Sequence, residues 1–209
     1  MKSVSGLREL KKREKEARIR GAAMELIRRH GFEATTTAAV AKRAGIAAGT
    51  LYRYVKTKHD LLDLVFAGEI ADVVDHAFAT LPARGDIVKR LMHLYSRLLD
   101  YYHRDVVMAR ILVAEALMPR EGSRSLPLTI EFLQRLSALI TAEQTAGRLV
   151  ADVNPVGLAM DSFALYVAGV LTVVNQMGRS SDAQQALERA LTIHFRGLRP
   201  PAPLRRSKR

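Results

Sequence analysis

Between Thr37 and Tyr54 the residue types and their spacing suit the reading of double-stranded DNA by a pair of short helices. Val40, Ala41 and Ala44 put small apolar groups on the inner face of a first helix, and Ala41 is small enough for a second helix to cross it closely. Gly45 stands where the turn needs a positive φ, which glycine takes without strain. Ile46 closes the small core from the turn, and Leu51 with Tyr54 or Val55 are the inward positions of the second helix. A helix-turn-helix presents the N-terminal residues of its second helix to base edges in the major groove. Here these are Ala47, Ala48, Gly49 and Thr50, which allow close backbone approach but offer few donors. An alanine methyl can meet a thymine methyl, and the Thr50 hydroxyl can bond a base edge. Arg53 suits a bidentate guanine contact or a phosphate, and the sequence leaves both open. Tyr52, Tyr54 and Lys58, with Lys56 close by, carry hydroxyl or ammonium groups suited to phosphates, which set register while bases set sequence.

Charge gathers in the same part of the chain. The 209 residues carry a formal net charge of +12. Residues 1–58 account for +10, residues 59–197 for −3, and residues 198–209 for +5. Two basic ends on a mildly acidic body point to a polyanion at the ends. The absence of cysteine excludes disulfides, thiolate zinc sites, iron–sulfur clusters and Cys nucleophiles. There is no Walker loop, no G-x-S-x-G and no H-E-x-x-H, so neither an enzyme nor a cofactor is expected. His59-Asp60 has the form of a metal-ligating pair, but no second histidine cluster stands at a suitable spacing, and no metal is expected. The start of the chain lacks the apolar run of a signal peptide. The longest apolar stretch, Val156 to Val174, is broken by Asp161 and Ser162 and reads as a buried or interface helix rather than a membrane span. A cytoplasmic protein with no membrane partner is therefore expected.

The elements that must position these residues are helical almost throughout. Ile19, Ala22, Ala23, Leu26 and Ile27 form one apolar face, and Glu9–Arg13, Glu14–Arg18 and Glu16–Arg20 stand at i,i+4 on the other. Gly31 stops this helix, Phe32 folds back, and Thr35, Thr36 and Thr37 offer caps for the next. A helix over about 47–55 follows the turn. Thr57-Lys58-His59-Asp60 reads as a capping box opening a long helix towards Thr80. Further helices are expected over 86–104, 105–118, 126–147, 155–177 and 181–198, with Pro155 as an N1 proline. Pro200 to Arg209 reads as a basic disordered tail.

With these segments in view, residues from about Lys15 to Ile70 resemble the DNA-binding region of the TetR/AcrR family of transcriptional regulators. The resemblance rests on the order helix, His-Gly-Phe, Ala-Thr-Thr, Ala-Lys-Arg-Ala-Gly, Gly-Thr-Leu-Tyr, Lys-x-Lys. It implies an all-α chain of about nine helices, with a three-helix DNA-binding domain followed by a helical ligand-binding and dimerisation domain. The implied domains are a basic arm over 1–17, the reader over 18–60, the body over 61–199 and the tail over 200–209. Family DNA contacts that match are Thr37, Gly49, Thr50, Tyr52, Tyr54 and Lys58. Ala47 and Ala48 fall where the family commonly has Ser and Lys, which removes an N-cap and a DNA contact.

The resemblance also places a homodimer interface on the last two helices, with Ala159, Phe163, Val167, Gly169, Val170, Leu171 and Val174 on the first. Ala186, Leu187, Ala190, Leu191 and Phe195 are its counterparts on the second. An effector pocket is expected among Met92, Tyr95, Leu99, Tyr102, Met108, Ile111, Glu115, Phe132 and Met160. Glu115 stands in an apolar run and needs a partner, with Arg110, Arg90 or a ligand cation as candidates. The expected function is a repressor that binds a pseudo-palindromic DNA operator as a homodimer and is released by a small, mostly apolar effector. The alternative is a small helical enzyme or ligand carrier with a non-specific basic N-terminus.

Overall fold

A computed structural model describes residues 4–119, 121–123 and 125–198. The basic tail lies outside the described residues. The helices are α1 (Val4–His30), α2 (Thr37–Arg43), α3 (Ala48–Leu51), α4 (Lys58–Ala79), α5 (Ile87–Arg104), α6 (Val106–Leu117), α7 (Ser125–Thr145), α8 (Pro155–Val174) and α9 (Ser180–Arg196). No strand occurs among the described residues, so the fold is all-α, as the periodicity requires.

The helix ends follow from local chemistry. Gly31 takes φ +82 and its N–H closes α1 on Ile27 O at 2.8 Å. Thr36 caps α2 by accepting from the Ala39 N–H at 3.2 Å. Asp86 caps α5 through the Lys89 N–H, and Asn154 caps α8 ahead of Pro155. The expected helix over 47–55 is shorter, covering Ala48–Leu51. Its N-cap, Ala47, makes no side-chain cap bond, and Gly49 lowers helix propensity inside it. The chain from Tyr52 to Tyr54 continues in tighter turns, with Tyr54 N–H donating to Leu51 O at 2.8 Å.

The chain divides into two compact units. One comprises Met1–Asp72 with Ile111–Leu128, and the other Val73–Arg110 with Thr129–Arg209. The first unit's core is built from Ile19, Ala23 and Ile27 of α1, Val40 and Ala41 of α2, Leu51 and Val55 around α3, and Leu61, Leu62 and Val65 of α4. Asp63 of α4, itself buried, accepts from the Ser125 N–H at 3.1 Å and the Ser123 hydroxyl at 2.9 Å, capping the start of α7.

In the second unit α5, α8 and α9 pack on one another. Leu91, Leu94, Leu98 and Leu99 of α5 are buried, and Leu99 lies against Gly169 of α8. By length and composition α8 alone among the described helices is apolar enough to cross a membrane. Its inward face, Leu158, Ala159, Tyr166, Val170, Val173 and Val174, is used instead for this packing. In the same unit, Glu143 of α7 is 1% exposed and accepts from Arg90 at 2.5 Å and from Arg148 at 2.7 and 2.8 Å. The Arg148 bonds hold the Glu143 carboxyl below the usual carboxylate range; burial opposes them, and Arg90 adds to the lowering.

Candidate nucleic-acid interface

The reader is held from three sides. Its own core positions behave as spaced: Val40, Ala41, Ala44 and Leu51 are buried, and of the pair Tyr54 and Val55 it is Val55 that turns inward while Tyr54 is half-buried. From α1, Arg43 of α2 is held by Glu25 at 2.5 Å. Also from α1, the Arg18 guanidinium donates to Ala44 O at 2.5 Å and Gly45 O at 2.9 Å. Gly45 has φ +63, which favours glycine, and a Cβ built there would stand 2.9 Å from Arg18 Nη2, so a side chain would also displace this guanidinium.

From α4, the expected capping box is present. The Asp60 N–H donates to the Thr57 hydroxyl at 3.0 Å, while the Asp60 carboxylate accepts from the N–H groups of Lys56 and Thr57 at 2.8 and 2.9 Å. Burial acts on Asp60 to raise its pKa, but these hydrogen bonds and the Lys56 charge together hold it below the usual range. Arg20 of α1 lies across Gly68 of α4 and reaches Asp72 at 3.8 Å.

What remains outward is the face expected to meet DNA. Ala47, Ala48, Gly49, Tyr52 and Arg53 are exposed, and Thr37, Thr50, Tyr54 and Lys58 are half-buried. Lys58 is also engaged within the chain: its Nζ bonds Glu33 O at 2.8 Å and the Glu33 carboxylate at 3.2 Å, and lies 4.3 Å from the Phe32 ring centre. Residues 19–65 match the family described as bacterial regulatory proteins, tetR family. Residues 19–65 are a tetR-family segment. The chain is 32% identical over 100 residues to the HTH-type transcriptional repressor KstR of Rhodococcus jostii, covering 48% of this chain and 46% of that protein. It is 29% identical over 86 residues to the fatty acid metabolism regulator protein of Bacillus subtilis, covering 41% and 44%. The matches thus span less than half the length of these curated relatives. The fold extends further. Bacillus subtilis FadR, solved with stearoyl-CoA, superposes with a TM-score of 0.69 at 20% identity, over 87% of this chain and 98% of that one. Thermus thermophilus FadR, solved with lauroyl-CoA, superposes with a TM-score of 0.68 at 24% identity, over 90% and 97%. The chain is accordingly an all-α protein that carries a tetR-family segment over residues 19–65.

The residues expected to line an effector pocket are distributed unevenly. Tyr95, Leu99, Tyr102, Met108 and Phe132 are buried in the second unit, and Met92 is half-buried there. Ile111 is half-buried and belongs to the first unit. Met160 is 56% exposed and, with Val156, faces Ile130, Leu133 and Ser137 of α7 across an open groove of about 560 Å³. The side chain of Glu115 lies outside the described residues. Of the cations named beside it, Arg90 bonds Glu143 and Arg110 bonds Val174 O at 2.9 Å.

The aromatic cluster is larger than the sequence suggests. Tyr95 stacks on Tyr166 at 4.8 Å and bonds Ser162 at 3.0 Å, and Phe163 joins Phe132 edge-on at 6.0 Å. Burial pushes the phenols of Tyr95, Tyr102 and Tyr166 well up, so all three are neutral hydroxyls. Tyr166 and Ser162 are legible in the sequence as a polar pair at i,i+4 inside an apolar helix. Glu143 gives the same signal as Glu115, an acid in line with Leu136, Leu139 and Ile140. Several residues expected at a dimer interface are core of one chain instead: Ala159, Gly169, Val170, Val174, Leu187, Leu191 and Phe195 are buried. A three-helix layer of α5, α8 and α9 uses up one face of both last helices.

Proposed function

We propose that this regulator is a repressor that binds a pseudo-palindromic operator as a homodimer and leaves it when a small, mostly apolar effector binds its body. The observation that carries the reading is the outward edge of Ala47, Ala48, Gly49, Tyr52 and Arg53 on a turn held by α1 and α4. In this reading Arg53 reads a base or grips a phosphate, Thr50 bonds a base edge, and Thr37, Tyr52, Tyr54 and Lys58 bear on phosphates. Lys58 then exchanges its Glu33 partner for a phosphate.

A homodimer is supported by the outer faces of the last two helices. Val156, Met160, Ala164 and Ala168 of α8 and Ala186 and Ile193 of α9 are small or apolar and lie outside the buried faces of their helices. The effector site is placed among Tyr95, Tyr102, Phe132 and Tyr166, whose neutral hydroxyls give an apolar interior a few polar anchors. Two fold neighbours were solved with acyl-CoA, so acyl thioesters form the first ligand panel to test. Effector release needs tighter binding to the DNA-incompetent state than to the competent one.

The test is selection of duplexes from a random library by the full chain, with molar mass measured by light scattering. The expected result is a two-fold symmetric site bound by two chains and released by one class in a panel of acyl-CoA esters and free acids. No enriched site refutes the reader, a single chain per site refutes the dimer, and no release across the panel refutes the acyl effector.

A further inference from the structure

We infer that Arg18, which lies outside the helix-turn-helix, is a positioning residue for base reading, acting as the C-terminal cap of α2 supplied from α1. The inference rests on the reading of the chain as a sequence-specific DNA binder and names a residue that governs that reading without touching a base.

The last carbonyls of a helix have no partner within it and carry the negative end of its dipole. In α2, Val40 O, Ala41 O and Lys42 O are taken by the N–H groups of Ala44, Ile46 and Gly45. Ala44 O and Gly45 O point out of the turn, and the Arg18 guanidinium accommodates both with one nitrogen. These two carbonyls belong to the peptides on either side of the Gly45 Cα, whose backbone angles set the direction of the chain into Ile46 and Ala47. Everything that follows, the four residues of α3 and then Tyr52 and Arg53, leaves from that point. Helix α3 has no side-chain cap at Ala47 and a glycine in its middle, so its direction is taken from its surroundings. Arg18 is a cation at the negative end of α2, and its bonds to neutral carbonyls are charge-assisted. The 2.9 Å approach of Arg18 Nη2 to where a Gly45 Cβ would stand explains why the turn cannot accept even alanine without moving this guanidinium.

A positioning role and a phosphate-gripping role for Arg18 predict different losses. Without the cap the reader keeps its other charges but loses the aim of α3. Specific affinity therefore falls while non-specific affinity stays. Removing a phosphate-gripping cation would instead weaken binding to all duplexes together and lower the salt slope by about one.

The test compares wild type, Arg18→Met and Arg18→Lys, using the duplex selected by wild type and a random duplex of equal length. Arg18→Met should lose about 10- to 100-fold on the selected duplex, the worth of a charge-assisted hydrogen bond. Its affinity for random duplex should change by less than about threefold, with the salt slope nearly unchanged. Arg18→Lys, whose ammonium can serve both carbonyls, should recover most of the loss. Hydrogen exchange without DNA is the second readout. In Arg18→Met the amides of residues 45–51 should exchange about tenfold faster while those of α1 keep their protection. Equal losses on both duplexes, or unchanged exchange over 45–51, overturn the inference. If wild type selects no duplex at all, the sequence-specific reading fails and the inference about base reading falls with it; faster exchange would then show a cap of purely structural use.

Discussion

Removing the Glu143 carboxylate isolates the cost of leaving a buried charge alone. Glu143 is 1% exposed and the Arg90 side chain only 15%, while Arg148 is 54% exposed and can return to water. Among the described residues Arg90 Nε has no hydrogen-bond partner, so Glu143 supplies this guanidinium's compensation. In Glu143→Leu the Arg90 charge stays buried without a counter-charge. Breaking a buried pair from one side costs about 3–5 kcal/mol. For a chain of this size each kcal/mol moves Tm by about 2–4 °C, so the melting point should fall by roughly 6–20 °C. Replacing both partners, Arg90→Met with Glu143→Leu, removes the stranded charge and should bring stability back to within about 1 kcal/mol of wild type or above it. The assay is thermal unfolding by circular dichroism at one fixed protein concentration, because an associating protein melts differently at each. A single mutant whose Tm matches wild type would show that water reaches Arg90. A double mutant as unstable as the single would show that the carboxylate's worth lies in its bonds to Arg148 and the α7 end rather than in neutralising Arg90.

Acidification should destabilise the chain through the same chemistry. Glu143 and Asp60 both have folded pKa values below their unfolded ones, so their contributions are complete above the unfolded values of about 4 and are lost as pH falls through the folded ones. Tm measured from pH 7 to 3 should drop below about pH 4.5, and less steeply in Asp60→Asn, which keeps an oxygen for the Lys56 and Thr57 N–H groups but has no carboxylate to protonate. Gly45→Ala and Gly31→Ala both force a positive φ on alanine, at about 1–2 kcal/mol each. Only Gly45→Ala should also weaken operator binding, since nothing lies within 4 Å of a Cβ at Gly31. Gly169→Ala should be tolerated or raise stability by up to about 1 kcal/mol, because its Cβ would meet Leu99 at an ordinary 3.6 Å inside a helix; a fall in Tm would show tighter packing of α5 on α8 than these distances describe. Arg53→Ala should relax preference at one base position at about 1–3 kcal/mol if the side chain reads guanine, whereas an even loss over all sequences assigns it to phosphate.

The fold is legible in the sequence because its signals are local. Caps at Thr36, Thr57, Asp86 and Asn154, stops at Gly31 and Gly45, and 3.6-residue periodicity all act within a few residues of the backbone they shape. The reader's inward positions are legible for the same reason. The fasteners that hold it are not: Arg18 meets Ala44 across 26 residues, and Lys58 meets Glu33 across 25. On a helical wheel Arg18 is an i,i+4 partner for Glu14, and only the crossing of α1 over the turn gives it another use. In the body, one apolar face has two possible neighbours. Leu187, Leu191 and Phe195 could pack on a second copy or on α5 and α8, and spacing along a single helix does not distinguish these.

Helix α3 has four residues, no side-chain cap and an internal glycine, and its outward positions contribute little to the core. The outward residues can therefore be exchanged with little penalty to folding, because the scaffold carries the burden of keeping them in place. Ala47, Ala48 and Arg53 form a replaceable face on a permanent mount. A regulator built this way can drift to a new operator by changing a few exposed side chains while its stability, and whatever it senses, stay as they were. The same property makes it a practical starting frame for reprogramming: libraries confined to these three positions should fold almost without exception, and their members should differ in DNA binding rather than in stability.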